Sequence, residues 1–149
     1  MVKVTIEFDK SAVDEIPEKT EAIVKRGKNL VAQNMIRDLT KNSPVDTGKL
    51  KGWFPYKNED TVVEIRSPAE YAGYVNDGTG IYGPRGQVIY RKDIGKPFAF
   101  NVGGKMVYVK YIKGQKGQHF VEKSIEQTSQ NIQRLFNKAV KDVMGGGTK

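Results

Sequence analysis

Asp46-Thr47-Gly48, within the stretch SPVDTGKLKGWF, is the tripeptide that carries the catalytic carboxylate of aspartic proteases. That chemistry needs two carboxylates sharing one proton in facing loops of an all-β fold, so a single triplet in 149 residues would require a homodimer. Pro44 and Val45 precede the triplet and Lys49 follows it. A lysine beside such a dyad favours two ionised carboxylates over the shared proton. A second arrangement, Gly78, Gly80 and Gly83, has the GxGxxG spacing of a dinucleotide-binding loop. That loop works only when a helix opens at the third glycine and offers its N-terminus to a pyrophosphate, whereas GPRGQVIYRKD reads as turn and strand. A mobile glycine-rich loop is the simpler reading. The adjacent carboxylates Glu59 and Asp60 point apart on most backbones, and the single histidine, His119, has no triad partner or metal-ligand spacing nearby. With no cysteine there is neither a disulfide nor a thiolate metal site. The sequence therefore predicts no catalytic residue, no metal and no cofactor, and a chain that is not an enzyme.

The elements that hold these residues follow from pattern. A chain of this length fits one domain, 1–149, and 38% hydrophobic residues with six prolines suit a globular core under a charged, wet surface. In VKVTIEF, Val2, Val4, Ile6 and Phe8 alternate as a half-buried strand. After it Ser11 and Asp14 resemble a helix start, and Pro17 suits a first helical turn. From there to Thr40, Ile23, Leu30, Val31, Met35 and Leu39 form one apolar stripe, interrupted by Gly27, which marks close packing or a slight break. Asn42 is suited to a left-handed cap, Pro44 stops the helix, and Asp46, Thr47 and Gly48 make a tight turn anchored by Leu50 and Trp53. TVVEIRS reads as a strand. Tyr71, Ala72, Tyr74 and Val75 form a short apolar segment closed by an Asn-Asp-Gly-Thr-Gly turn. GPRGQVIYRKD and KPFAFNVGGKMVYVKYI read as strands, the latter a hairpin turning at Gly103-Gly104, and KGQKGQ as a flexible basic loop. Val121, Ile125, Thr128, Ile132, Leu135, Phe136, Ala139 and Val143 then step by three and four along a closing amphipathic helix, with a frayed tail at 145–149. The order predicts an α+β fold, a mostly antiparallel sheet with two long helices packed on one face.

Charge is unevenly placed. The formal total is +8, yet residues 1–40 balance, 41–81 come to −1, 120–149 to +2, and 82–119 carry eight basic side chains against one acidic. That segment could meet nucleic acid or an acidic protein face. No apolar run approaches the length of a membrane span, and the alternating N-terminus differs from a signal peptide, so synthesis in the cytoplasm with no membrane contact is expected.

NSPVDTGKLKGWF after a long amphipathic helix, then a strand, then AEYAGYVNDGTG, then a glycine-containing approach to a closing helix, resembles the gene-product-ten-like family of long-tailed bacteriophages. These are small virion proteins of the neck, also described as tail-completion or head-to-tail joining components. Pro44, Val45, Asp46, Thr47, Gly48 and Leu50 match the family's (S/A)PVDTG-x-L turn, and Tyr71, Ala72, Tyr74, Val75, Gly78 and Thr79 its YA-x-YV-x-x-GT segment. Trp53 stands where the family usually has a smaller aliphatic residue. About forty basic, strand-forming residues, the insert at 82–119, intervene where the family usually runs straight to a PF-x-x-PA approach, and both of those prolines are missing. The resemblance implies a structural subunit working through interfaces with other neck, connector and tail proteins. It further implies a homo-oligomeric ring in the virion, with a hexamer favoured and a monomer compatible with isolation. Assembly would take place in the host cytoplasm. Candidate interface residues are Gly80, Tyr82, Arg85, Arg91, Lys92, Lys105, Lys110, Lys113 and Lys116. DNA contact would be non-specific. The alternative is a small basic nucleic-acid-binding module, with Tyr90, Phe98, Phe100, Tyr108 and Tyr111 stacking on bases, although the same alternation would equally bury Val107, Val109 and Tyr111.

Overall fold

The computed structural model describes residues 2–7, 18–45, 48–59, 62–93 and 95–145. Ser11, Asp14, Pro17, Asp46, Thr47 and the tail at 146–149 lie outside them, as does Phe8 of the first strand. The architecture is α+β, and the chain divides into two compact units, Met1–Glu70 with Phe120–Lys149, and Tyr71–His119. The second unit starts earlier than the boundary at 82 that charge alone suggests.

The first unit holds β1 (Lys3–Glu7), α1 (Glu18–Asn42), a single 3-10 turn (Lys49–Lys51), β2 (Phe54–Asn58), β3 (Val62–Arg66) and α3 (Phe120–Met144). Its three strands pair antiparallel in the order β1-β3-β2, with Val4 opposite Ile65 and Ile6 opposite Val63. Alternation then sends Val4, Ile6, Val63 and Ile65 to one face, where Ile6 packs against Leu30 and Val31 of α1 and Leu135 and Ala139 of α3. Both long helices pack on one side of an antiparallel sheet, as predicted, although β2 was not among the expected strands. Glu64 on the other face is also buried and pairs with Arg66, whose guanidinium lies 3.5 Å from the centroid of the Tyr56 ring. Gly27 proves to be a packing residue in an unbroken helix: a Cβ there would stand 2.5 Å from Phe136 Cε1.

Two expectations about the helices need correction. Asn42 is not a left-handed cap, because it remains helical and its side-chain amide donates to Ser124 Oγ (3.0 Å) and Gln127 Oε1 (2.8 Å) on α3. The helix ends instead through Ser43, whose backbone N–H and hydroxyl both donate to the Leu39 carbonyl. On α3, Ile125 and Ile132 leave the core stripe and stand 44% and 40% exposed, while Ser124 and Thr128 are buried. The reason is that α1 offers polar residues there. Asn34 and Asp38 meet Thr128, with Asn34 Nδ2 donating to Asp38 (2.9 Å) and to Thr128 Oγ1 (3.2 Å), and Thr128 donating to Asp38 (2.8 Å).

The second unit holds α2 (Ala72–Asp77), a 3-10 turn (Gly80–Tyr82), β4 (Ile89–Tyr90), β5 (Phe98–Val102), β6 (Lys105–Val109) and β7 (Tyr111–Ile112). Its strands form two separate antiparallel ribbons, β4-β7 and β5-β6, and do not extend the three-stranded sheet. Most of GPRGQVIYRKD is therefore not strand. Gly103 and Gly104, with φ of 58° and 84°, close the β5-β6 hairpin as expected, and Asn101 accepts the Gly104 N–H.

Candidate functional site

The first motif is built as a structural turn. Pro44 and the exposed Val45 follow the end of α1, Asp46 and Thr47 lie outside the described residues, and Gly48 has a φ of 80°, which favours glycine. Gly48 leads into the 3-10 turn that buries Leu50. Trp53 is buried beside it, meets Phe120 edge to face at 6.2 Å between ring centroids, and donates its indole N–H to Ser43 Oγ at 2.9 Å. Thr40 Oγ1 donates to the Lys51 carbonyl, which ties the end of α1 to the same turn. Thr40, Ser43 and Trp53 thus direct their polar groups to the backbone or to another structural side chain.

The second motif is a clasp. α2 is capped by Gly78, with a φ of 90°, and the chain then runs antiparallel to 113–118. Thr79 N–H donates to the Gln115 carbonyl (2.9 Å), Gln115 N–H to Thr79 Oγ1 (3.0 Å), and Ile81 N–H to the Lys113 carbonyl (2.8 Å). Gln118 and His119 N–H groups close the far end on the Val75 and Asn76 carbonyls, each at 3.0 Å. A Cβ on Gly80 would overlap the Lys113 carbonyl, and one on Gly114 the Thr79 carbonyl. The glycines of the apparent GxGxxG thus permit close backbone approach between two segments, and Gly83 leads into a turn with no helix opening. Two expectations are overturned together: neither Gly78–Gly83 nor KGQKGQ is a free mobile loop, because each hydrogen-bonds the other.

The remaining candidates are spread over the surface of the second unit. Tyr82, Arg85, Arg91, Lys92, Lys105, Lys110, Lys113 and Lys116 are exposed, and Gly80 is half-buried in the clasp. Lys116 Nζ stands 5.8 Å from the Tyr82 ring centroid, and Arg91 donates to the Pro97 carbonyl and pairs with Asp93. Val107 and Tyr111, which alternation would have buried, are exposed. Tyr90 and Tyr111 pair across β4-β7 with ring centroids 6.1 Å apart, both exposed. Among the described residues, no three His, Asp or Glu side chains converge as metal ligands, and no helix is long and apolar enough to cross a membrane.

Ser43 and Gln115 are the residues that sequence reasoning missed. Ser43 carried a signal in its position beside Pro44 at a helix end, but the backbone partners of Gln115, some forty residues away, left none.

Neither the curated proteins nor the solved structures give a match to the chain. Residues 6–78 match the family model described as "Bacteriophage HK97-gp10, putative tail-component". The match spans the end of β1, α1, the Gly48 turn, β2, β3 and α2, and stops at the clasp glycine, so it contains the first motif entire and nearly all of the second. Over residues 6–78, just under half of its length, the chain is thus similar to the HK97-gp10-like family, which is described as a putative bacteriophage tail component.

Proposed function

We propose that the chain acts at the head-to-tail junction of a long-tailed bacteriophage, as a neck or tail-completion subunit that works through protein–protein interfaces in a ring of copies, six being favoured. The observation that carries this reading is the use to which the two motifs are put. Trp53, Leu50 and Gly48 brace one turn and Gly78, Thr79 and Gly80 one clasp, which leaves the exposed basic surface of the second unit as the part free to meet other chains. Among the described residues β1 and β2 stand at the edges of their sheet and add further places where neighbours could join. The subunit is made in the host cytoplasm and incorporated there. The test is genetic. Virions made without the chain are expected as full heads and separate tails in negative stain; normally joined particles would overturn the reading.

One observation favours a second reading, non-specific nucleic-acid binding. The exposed Tyr90–Tyr111 pair offers ring faces next to Arg91, Lys92 and Lys110. A salt titration on single- and double-stranded nucleic acid decides it, since affinity no tighter than about 10⁻⁴ M at physiological salt removes the reading.

A further inference from the structure

β1, KVTIE, stands at an edge of its sheet among the described residues, with β3 on one side only. Continuing the register that sets Lys3 against Arg66, Val2 stands opposite Ser67, and the Ser67 N–H donates to the Val2 carbonyl. Hydrogen-bonded and non-hydrogen-bonded pairs alternate along an antiparallel ladder, so Val2, Val4 and Ile6 turn their backbone groups toward β3. Lys3, Thr5 and Glu7 turn theirs outward, three N–H donors and three carbonyls along the edge. Their side chains, all exposed, share the sheet face opposite Val4 and Ile6. A row of this kind is a template for another strand. The β2 edge is a poorer one, because Pro55 supplies no N–H and the register slips between Pro55 and Lys57. β1 carries neither device.

The sequence of β1 narrows the occupant. Set against a reversed copy of itself, KVTIE places Lys3 opposite Glu7, Val4 opposite Ile6 and Thr5 opposite Thr5. Outward backbone groups join only where odd-numbered residues face odd-numbered residues, and this register satisfies that along the whole strand. A shift by two residues keeps the parity but sets Thr5 against Lys3 or against Glu7, and no charge pair then forms within Lys3–Glu7. Backbone parity and charge therefore select the same alignment. Among the described residues neither Lys3 nor Glu7 takes part in an ion pair, so both charges are available. A strand of another protein would have to carry the reversed pattern, base against acid about a central hydroxyl. A second copy of this chain carries it by symmetry.

We propose that two copies of this chain pair antiparallel along β1 across a two-fold axis at Thr5, with Lys3 of each copy meeting Glu7 of the other, which joins their three-stranded sheets into one. A contact of this kind closes after two copies, so it neither needs nor builds a ring and does not rest on the junction reading. So short a strand buries little surface, and the pairing is weak and concentration-dependent. Sedimentation equilibrium of the purified full-length chain should show dimers that form by about 1 mM at low salt and dissociate as salt rises. Lys3→Glu and Glu7→Lys should each weaken dimerisation about tenfold, because like charges then stand opposite each other at both ends of the paired strands. An equimolar mixture of those two variants, and the double variant K3E/E7K, should recover it. Register is read with single cysteines, since the chain has none of its own. Facing residues of a hydrogen-bonded pair have Cα atoms about 5.5 Å apart, within disulfide range. Oxidised Thr5→Cys should form linked dimers, and Lys3→Cys mixed with Glu7→Cys should link where neither does alone. Circular dichroism should be the same for every variant, since all three positions are exposed. A chain that stays monomeric at that concentration overturns the proposal, as do dimers indifferent to the charge reversals, or Lys3→Cys and Glu7→Cys that link as readily alone as together. None of these results bears on the virion test above.

Discussion

Ser43 joins two structural groups at once: its hydroxyl donates to the Leu39 carbonyl at 2.6 Å and accepts the Trp53 indole N–H, all away from solvent. Ser43→Ala leaves that N–H buried without a partner and should cost about 1–3 kcal/mol in denaturant unfolding followed by Trp53 fluorescence. Trp53→Phe in the same background, with unfolding followed by circular dichroism because Trp53 is the sole tryptophan, should recover part of the loss, because the orphaned donor is gone. Gly48 tests the backbone. Its φ of 80° has open space around it, so Gly48→Val is opposed by conformation alone and should cost about 2 kcal/mol or more, whereas Gly48→Asn should cost less. Gly80→Ala meets both strain and the Lys113 carbonyl, and should open the clasp, read as faster amide exchange at Thr79 and Ile81. At this scale much was legible. Gly48, Leu50 and Trp53 are where turn chemistry and apolar anchors place them, because those signals are local. Asn42 was misread because its amide is committed to Ser124 and Gln127, more than eighty residues along the chain, and no local rule contains that partner.

The helices carry the stability of the first unit, and their contact is mixed in character. Apolar packing of Leu30 and Val31 on Leu135 and Ala139 continues into the polar meeting of Asn34 and Asp38 with Thr128. Buried polar pairs of this kind are intolerant of half-removal: Thr128→Val strips a partner from both Asn34 and Asp38 and should destabilise by about 1–3 kcal/mol, although it adds apolar surface. Leu135→Ala should cost about 2–5 kcal/mol through the cavity it leaves. Ile125→Ser and Ile132→Ser should stay within about 0.5 kcal/mol in the isolated chain, since both side chains stand largely in solvent. Periodicity located α3 correctly but could not rank its faces. Spacing by three and four is satisfied equally by Ile125 and by Ser124, and the polar residues of α1 decide between them. The strands show the same limit. Alternation identified β1, β3 and the β5-β6 hairpin, yet it says nothing about which strands pair, and the hairpin stands as its own ribbon.

At the scale of the whole chain, large buried apolar side chains are concentrated in the first unit, while Tyr71–His119 contributes mainly backbone hydrogen bonds and exposed rings. We propose that the chain still behaves as a single domain in denaturant, with the second unit opening locally beneath that transition. Native-state hydrogen exchange should then show amides of α1, α3 and β3 protected to the global limit and those of β4 to β7 exchanging by smaller openings; equal protection throughout would contradict this. The clasp has one more consequence. Near the start of the second unit the Val75 and Asn76 carbonyls accept the Gln118 and His119 N–H groups from its end. Everything between is therefore a cassette with its two ends already joined. Excising Gly80–Gly114 and bridging Thr79 to Gln115 with a tight turn should leave the fluorescence of Trp53 unchanged, and a foreign hairpin grafted at the same place should fold without altering that of its host.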